Sequence, residues 1–568
     1  MFLIAAAAFA SLAALPPMAP RVILRSEATR DRFRAKAVDT DTLRYRLTFA
    51  HDDSLRPVVD VRVQFRGNAS GRTVIELPHS WAGHSDLERS VSQLALVRPA
   101  SARLIDADSA HHRFVTHAPR AQIELRYRLR QDWTGAVRRP QYFRALVGED
   151  FAVLMGQNAL VHPAHGDKDR LVVDFSWSGV PSDWVIASSF GDGKTQQART
   201  TMNEFLEGVI VAGRFRPYTL TAYGRPIRVM IRGGWSFADS ALVRATRDLA
   251  TRQRAFWHDS SAGTYLVAAL PAVGGTGGTA FTHALVMYSD TTTPLAGFAG
   301  LLSHEMFHEW NGHAMRTAGP EGGMKWLSEG FTEFFADRFS RDAGFLSPET
   351  YVGRVNDAIR QYYLSPARNS TRDDVNRSYW SSSDMNRFPY YQGYLIASYL
   401  EGELRSGSKN AFTIDSLLFS VFRRARASGK LVDDALFTDA VPLALRAAVR
   451  DSIRSFVVAG NTVPVTSRSF GDCVDIRTDQ LFPFDLGFDA ASSMRDRVVR
   501  GVRTGGAADS AGLRDGMSLR GWSWFNGDAT KPASVRIAEG DTVRKVEWTP
   551  RGEQPVAVPQ LTTRAECK

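Results

Sequence analysis

Cysteine is almost absent: Cys473 and Cys567 are the only two in 568 residues. Two are too few for a disulfide-dense scaffold or a four-cysteine metal centre. In an oxidising compartment the pair would close a terminal clasp contributing about 4 kcal/mol, and elsewhere it would be two buried thiols. Long apolar runs are missing too, since beyond the first residues nothing approaches the roughly 18 needed to span a bilayer. The net charge of +10 comes mostly from scattered arginines, without the basic clusters that mark a nucleic-acid footprint. Acids are absent from one whole stretch, between Asp259 and Asp290.

What is present is a long chain with ample apolar content, 44% hydrophobic, too long for a single core. Residues 1–20 are apolar and alanine-rich, ending in Pro16-Pro17-Met18-Ala19-Pro20, with small residues suited to cleavage near Ala10 to Ala14. This is the composition of a signal peptide without a positive n-region, so a secreted or periplasmic location is expected, with membrane contact only if the segment stays uncleaved. From 21 to 229 the pattern is short and alternating: Val59, Val61, Val63 and Phe65 against Asp60, Arg62 and Gln64, then Ile123, Leu125, Tyr127 and Leu129 against polar neighbours. That is the period of half-buried strands and predicts a β-rich domain. Its His111-His112 and His162 to His165 lack companions at ligand spacing and read as loop residues. Helical periodicity dominates afterwards, with Ser347-Pro348-Glu349 as a capped helix start. A catalytic region over 230–345, a helical domain over 346–464 and a small domain over 465–568 complete the expected order.

The chemistry lies in His304-Glu305-Met306-Phe307-His308. Two histidines four apart on a helix reach one metal ion, and Glu305 between them faces the same opening. Catalytic zinc takes three protein ligands and keeps a position for water. Two residues compete for the third place. His313, in His308-Glu309-Trp310-Asn311-Gly312-His313, misses the metzincin spacing by one residue and reads as a helix-end residue. Glu329, in Trp326-Leu327-Ser328-Glu329-Gly330-Phe331-Thr332-Glu333, shares a helix stripe with Glu333 and Asp337, opposite an aromatic run that must be buried. Glu329 is taken as the ligand, with Glu333 either orienting a ligand histidine or solvated. One Zn2+ per chain is therefore expected, held by His304, His308 and Glu329, with Glu305 as general base.

Taken together, the HExxH run, its Trp-Asn continuation and Trp-Leu-Ser-Glu-Gly-Phe-Thr-Glu resemble the gluzincin metallopeptidases, and within them the glycyl aminopeptidase family. The resemblance implies a multidomain α+β fold: a β-rich N-terminal domain, a thermolysin-like catalytic domain, an α-helical domain and a C-terminal PDZ-like domain. It also implies a tyrosine hydroxyl for the oxyanion, for which Tyr390 in Tyr390-Tyr391-Gln392-Gly393 fits and Tyr391 is the reserve. Gly277, Gly278, Thr279 and Ala280 fall in the glycine-rich loop with which such enzymes bind substrate beside the active-site strand, but the acid that would read a free amino terminus is missing there, and Phe281 to Met287 reads as the strand that lines the cleft and pairs with a peptide. The expectation is a zinc peptidase acting on peptides or proteins, an aminopeptidase first and an endopeptidase second. A non-catalytic zinc-containing peptide-binding protein is the rival class, and intact Glu305 argues against it. Asp485-Leu486-Gly487-Phe488 and Gly505 to Met517 resemble a PDZ module that would take a peptide ligand, although Asp485 replaces the loop's first glycine and would repel a C-terminal carboxylate.

Overall fold

The structure, a computed structural model, describes residues 42–564 except 107–110, 167, 261–262, 472 and 526. The expected signal peptide and Cys567 lie outside the described residues; Cys473 is disulfide-bonded. The chain forms two compact units that meet in sequence at Glu309 and Trp310. Among the described residues no helix is long and apolar enough to cross a membrane.

The first unit begins with a six-stranded sheet in the order Thr195–Thr201, Arg170–Ser178, Thr42–His51, Pro57–Arg66, Gln122–Arg130, Val91–Arg98. The alternation seen in the sequence fixes its faces. Val59, Val61, Val63 and Phe65 are buried, as are Ile123, Leu125, Tyr127 and Leu129, around Tyr45, Phe175 and Phe205. A four-stranded sheet follows the order His162–Pro163, Arg72–Glu76, His112–Thr116, Arg103–Asp106. Here the histidines set aside as separate loop residues come together, because His162 and His112 are the two strand partners of Glu76. His111 stacks on His79 with ring centroids 3.9 Å apart. Residues 50 apart in sequence meet through strand pairing, which spacing along the chain does not encode.

A five-stranded sheet carries the substrate-strand candidate, in the order Arg216–Ala222, Arg225–Ile231, Tyr265–Pro271, Ala284–Ser289, Gly277–Phe281. The expected domain boundary at 229/230 cuts through this sheet, since Arg225–Ile231 runs parallel to Tyr265–Pro271. A parallel pair needs a crossover, and the 18-residue helix Asp239–Phe256 supplies it. Gly277–Phe281 closes the sheet as an antiparallel edge strand.

The second unit is helical through Val458. Ser347 accepts the Thr350 N–H at 3.2 Å, with Pro348 in the first turn of Pro348–Tyr363. Its last part pairs Val474–Leu481 with Val556–Thr563 and adds a three-stranded sheet of Leu519–Ser523, Ala533–Glu539 and Thr542–Trp548. These close over Val499, Leu513, Leu519, Val535, Ile537 and Val546. After Phe488 the chain forms the helix Ala490–Asp496, where a peptide-adding module would need a strand. The Asp485 carboxylate accepts the Gly487 N–H at 2.8 Å and pairs with Arg503, so the loop's amide is already occupied from within. Asn356 holds both backbone groups of Leu561, at 2.7 and 2.9 Å, on the outer side of the final strand.

Candidate metal and active site

The motif helix, Leu295–Phe307, is apolar on nearly every face because it is packed all round. From the crossover helix, Gln253 donates to the Ser303 carbonyl at 2.7 Å and fixes its height. His308 stands at the helix end with αR backbone, one turn beyond His304. The two Nε2 atoms are 3.0 Å apart, their rings nearly perpendicular. Ligands on a zinc tetrahedron with bonds of about 2.0–2.1 Å stand roughly 3.3 Å apart, so this separation suits one shared cation.

The ligand-capable atoms of His304, His308 and Glu329 all lie within 4.8 Å of one another. Among the described residues they form the one such group of histidine, cysteine and carboxylate, and His313 is not part of it. Two imidazoles and a carboxylate are the donor set of a catalytic zinc. All three are largely sequestered, His304 at 7% and Glu329 at 8% exposure, which suits residues that hold an ion rather than a surface acid.

Glu329 lies in a short π-helical turn, Trp326–Phe331, running into the helix Thr332–Asp342. A π turn at a functional residue re-aims one side chain within an otherwise regular helix. Glycines explain its setting. A Cβ on Gly330 would meet the Gly393 Cα at 2.3 Å, and one on Gly393 would meet the Trp326 carbonyl oxygen at 1.8 Å. Only bare backbones can cross so closely. Gly393 belongs to Ser383–Ser408, the helix that carries Tyr390 one turn earlier. The Tyr390 side chain is hydrogen-bonded to Tyr379, whose ring lies 5.8 Å from the Lys325 ammonium, and Lys325 Nζ is 3.0 Å from Glu329 Oε1. Burial alone would lower the Lys325 pKa; Glu329, Tyr379 and Glu321 together outweigh it and hold it above its usual range.

The aromatic stripe Trp326, Phe331, Phe334 and Phe335 is buried. Its opposite acids diverge. Asp337 is buried beside Arg354 at 2.5 Å rather than solvated, and burial pushes its carboxyl up to about 6 despite that partner. Glu333 acts electrostatically on Arg354 and Tyr391.

The strand expected over 281–287 to pair with a peptide is Ala284–Ser289, which is bonded on both sides within the sheet, and Gly277 to Ala280, expected as a loop, occupy the edge strand instead. A Cβ on Gly278 would lie 2.7 Å from Glu305 Cγ and 2.8 Å from its Oε1, while one on Gly277 would meet Tyr142 at 3.0 Å. Gly278 thus lets the strand touch the carboxylate of the motif. The Thr279 hydroxyl is buried without a hydrogen-bond partner among the described residues.

Sequence reasoning missed Asn311. The helix breaks there, with Asn311 at φ −89°, ψ 72° and Gly312 at φ 156°. Wholly buried, Asn311 Nδ2 donates to the Leu327 carbonyl at 2.9 Å and to Thr332 Oγ1 at 3.0 Å, on either side of Glu329. A buried amide following a metal-motif helix was the available signal.

Residues 297–404 match the M61 glycyl aminopeptidase family profile. No curated protein matches the chain. Among solved structures, an aminopeptidase N family protein from Idiomarina loihiensis shares the fold, with a TM-score of 0.71 at 13% identity over 92% of this chain and 98% of that one. An M1 zinc metallopeptidase from Deinococcus radiodurans aligns at a TM-score of 0.49 and 14% identity over 76% of this chain and 96% of its own.

Proposed function

We propose that the protein is a zinc peptidase that removes residues from the amino terminus of peptides. The observation that carries this reading is the convergence of His304, His308 and Glu329 with Glu305 on the same helix, supported by the M61 match across this segment. His304, His308 and Glu329 would hold the zinc, which when bound would supply a water with a pKa lowered to about 7 and a Lewis acid for the scissile carbonyl. Glu305, placed by its contact with Gly278, takes the proton of the attacking water on its carboxylate and passes it to the leaving amine. The Tyr390 hydroxyl donates to the oxyanion, with Tyr391 as the alternative donor. Backbone groups on the open side of Gly277 to Ala280 hold the substrate as an added strand.

Internal cleavage is the second reading, favoured by one observation: no acid between Asp259 and Asp290 is present to pair with a substrate ammonium. Digestion of a peptide library separates the two. Sequential loss from the amino terminus supports the first, and internal cuts overturn it. A Glu305→Gln variant that keeps zinc yet retains full activity would defeat both. The segment from 465 onward is read as a PDZ-like module whose loop, filled by Asp485, serves structure rather than capture of C-termini. A secreted or periplasmic location goes with this reading, and fractionation of the producing cell tests it.

A further inference from the structure

Glu309 directly follows His308 and stands four residues after Glu305, and the proposed reaction gives it no part. It is 7% exposed, and its carboxylate is shared between two elements distant in sequence. Glu309 Oε2 accepts the backbone N–H of His283 at 3.1 Å, and Oε1 lies 2.7 Å from His283 Nδ1. Arg225 Nη1 donates to the same Oε1 at 3.1 Å. Arg225 itself is 1% exposed; its Nε donates to the Gly263 carbonyl at 2.6 Å, and its Nη2 lies 3.0 Å from His283 Nδ1 and 3.5 Å from the Thr264 carbonyl, so the guanidinium braces the turn directly as well.

His283 occupies the two-residue turn between Gly277–Phe281 and Ala284–Ser289, at φ 59°. Asymmetric hydrogen bonding to one carboxylate therefore grips the hairpin at its tip. The other end of the same strand touches Glu305 through Gly278. Within the sheet the strand is held by its ladder to Ala284–Ser289, by the buried Phe281 and by the Thr282 hydroxyl, which donates to Glu207 Oε2 at 2.9 Å; its two leading glycines add no side-chain packing. Against the motif helix it makes the Gly278 contact and the Glu309 bonds at the turn, and of these two the Glu309 pin is the hydrogen-bonded one.

We propose that Glu309, braced by Arg225, is a positioning residue that holds the Gly277–Phe281 strand in register for peptide pairing, and so governs affinity for extended substrates more than turnover. This rests on the peptidase reading above. The test uses the full-length, zinc-loaded protein with two substrates: an amino-acid anilide, which offers almost no backbone to the strand, and a pentapeptide. Glu309→Ala, and Glu309→Asp, which is one methylene too short to reach the turn, should each raise KM for the pentapeptide about tenfold while kcat stays within about threefold. The anilide constants should move less than about threefold, and zinc content should not change. Glu309→Gln keeps an acceptor for the His283 N–H and should recover most of the pentapeptide affinity. Hydrogen exchange across 277–285 should quicken in the Ala and Asp variants.

Equal effects on both substrates, or unchanged exchange at 277–285, would overturn the proposal. Should Glu309→Ala fail to fold, Glu309→Asp carries the same comparison. If the unmodified protein cleaves neither substrate, the peptidase reading falls, and exchange at 277–285 in Glu309→Asp still decides whether the carboxylate pins the strand.

Discussion

Replacing Gly278 with alanine isolates the contact between the edge strand and Glu305, the proposed general base. The backbone there is ordinary strand, so alanine brings no conformational strain, but its methyl would stand 2.7 Å from Glu305 Cγ and 2.8 Å from Oε1. Carbon atoms in contact keep about 3.5 Å or more, so the carboxylate end of Glu305 must retreat by roughly 0.8 Å. A flexible side chain retreats cheaply, and the melting temperature should move by less than about 2 °C. Catalysis does not forgive the same shift. Displacement of a reacting group by about 1 Å can lower a rate about 100-fold, equivalent to about 2.7 kcal/mol of transition-state stabilisation. The assay is kcat/KM on a peptide substrate, beside metal analysis and a thermal melt. A fall of about 100-fold with zinc retained is expected. An activity within about threefold of the parent would refute the reasoning, because the strand would then have no hold on Glu305.

Tyr390→Phe should lower kcat by about 100- to 1,000-fold while leaving zinc content unchanged, read by steady-state kinetics and metal analysis; an unchanged kcat would remove the tyrosine from the oxyanion role. Gly393→Ala drives a methyl into the Trp326 carbonyl oxygen, backbone against side chain, and should destabilise by more than about 3 kcal/mol in denaturant unfolding. A stable Gly393→Ala protein would mean the helix crossing can open. Burial lowers the His162 pKa to about 4 from its ordinary 6.5. The folded state therefore keeps it neutral while the unfolded chain takes up a proton, so stability is whole above pH 6.5 and is lost as pH falls towards 4. The loss from this residue approaches about 3 kcal/mol at the acid end. His111 and His165, likewise lowered to about 4 by burial, steepen the same acid limb. Acid titration followed by tryptophan fluorescence should be shallower by about one proton in His162→Asn, and an unchanged slope would exclude its contribution.

The grouping of His304, His308 and Glu329 was legible in two steps: the two histidines need only one helical turn, and Glu329 stands out on its helix stripe and in the Glu-Gly-Phe run that carries the resemblance. What that glycine is for was not readable, since Gly330 and Gly393 meet across 63 positions and neither marks the other in sequence. Strand alternation gave the faces of the N-terminal sheet correctly, yet pairing order is non-local, and so the boundary expected at 229/230 falls inside the strand Arg225–Ile231. The helix stripe left Asp337 to face solvent, a cation or the metal cleft; the choice falls to Arg354, a cation on another helix that no local pattern marks. In the C-terminal region the loop residues were noticed, but Asp489, which caps a helix by accepting the Ser492 N–H at 3.1 Å, was overlooked, and with it the helix that replaces a strand.

Asn311 bears on how such a chain drifts. Because its amide takes carbonyls beside Glu329 immediately after the motif helix has ended, the stretch from Gly312 to Met324 is relieved of measuring the distance between ligands. Gly319 and Pro320 lie exposed within it. At those two residues an insertion alters the length of a connection, not the spacing of His304, His308 and Glu329, so a tag or sensor domain spliced in there is expected to cost metal binding least, whereas Met315 and Gly322 to Met324, buried in the same stretch, do not offer that freedom.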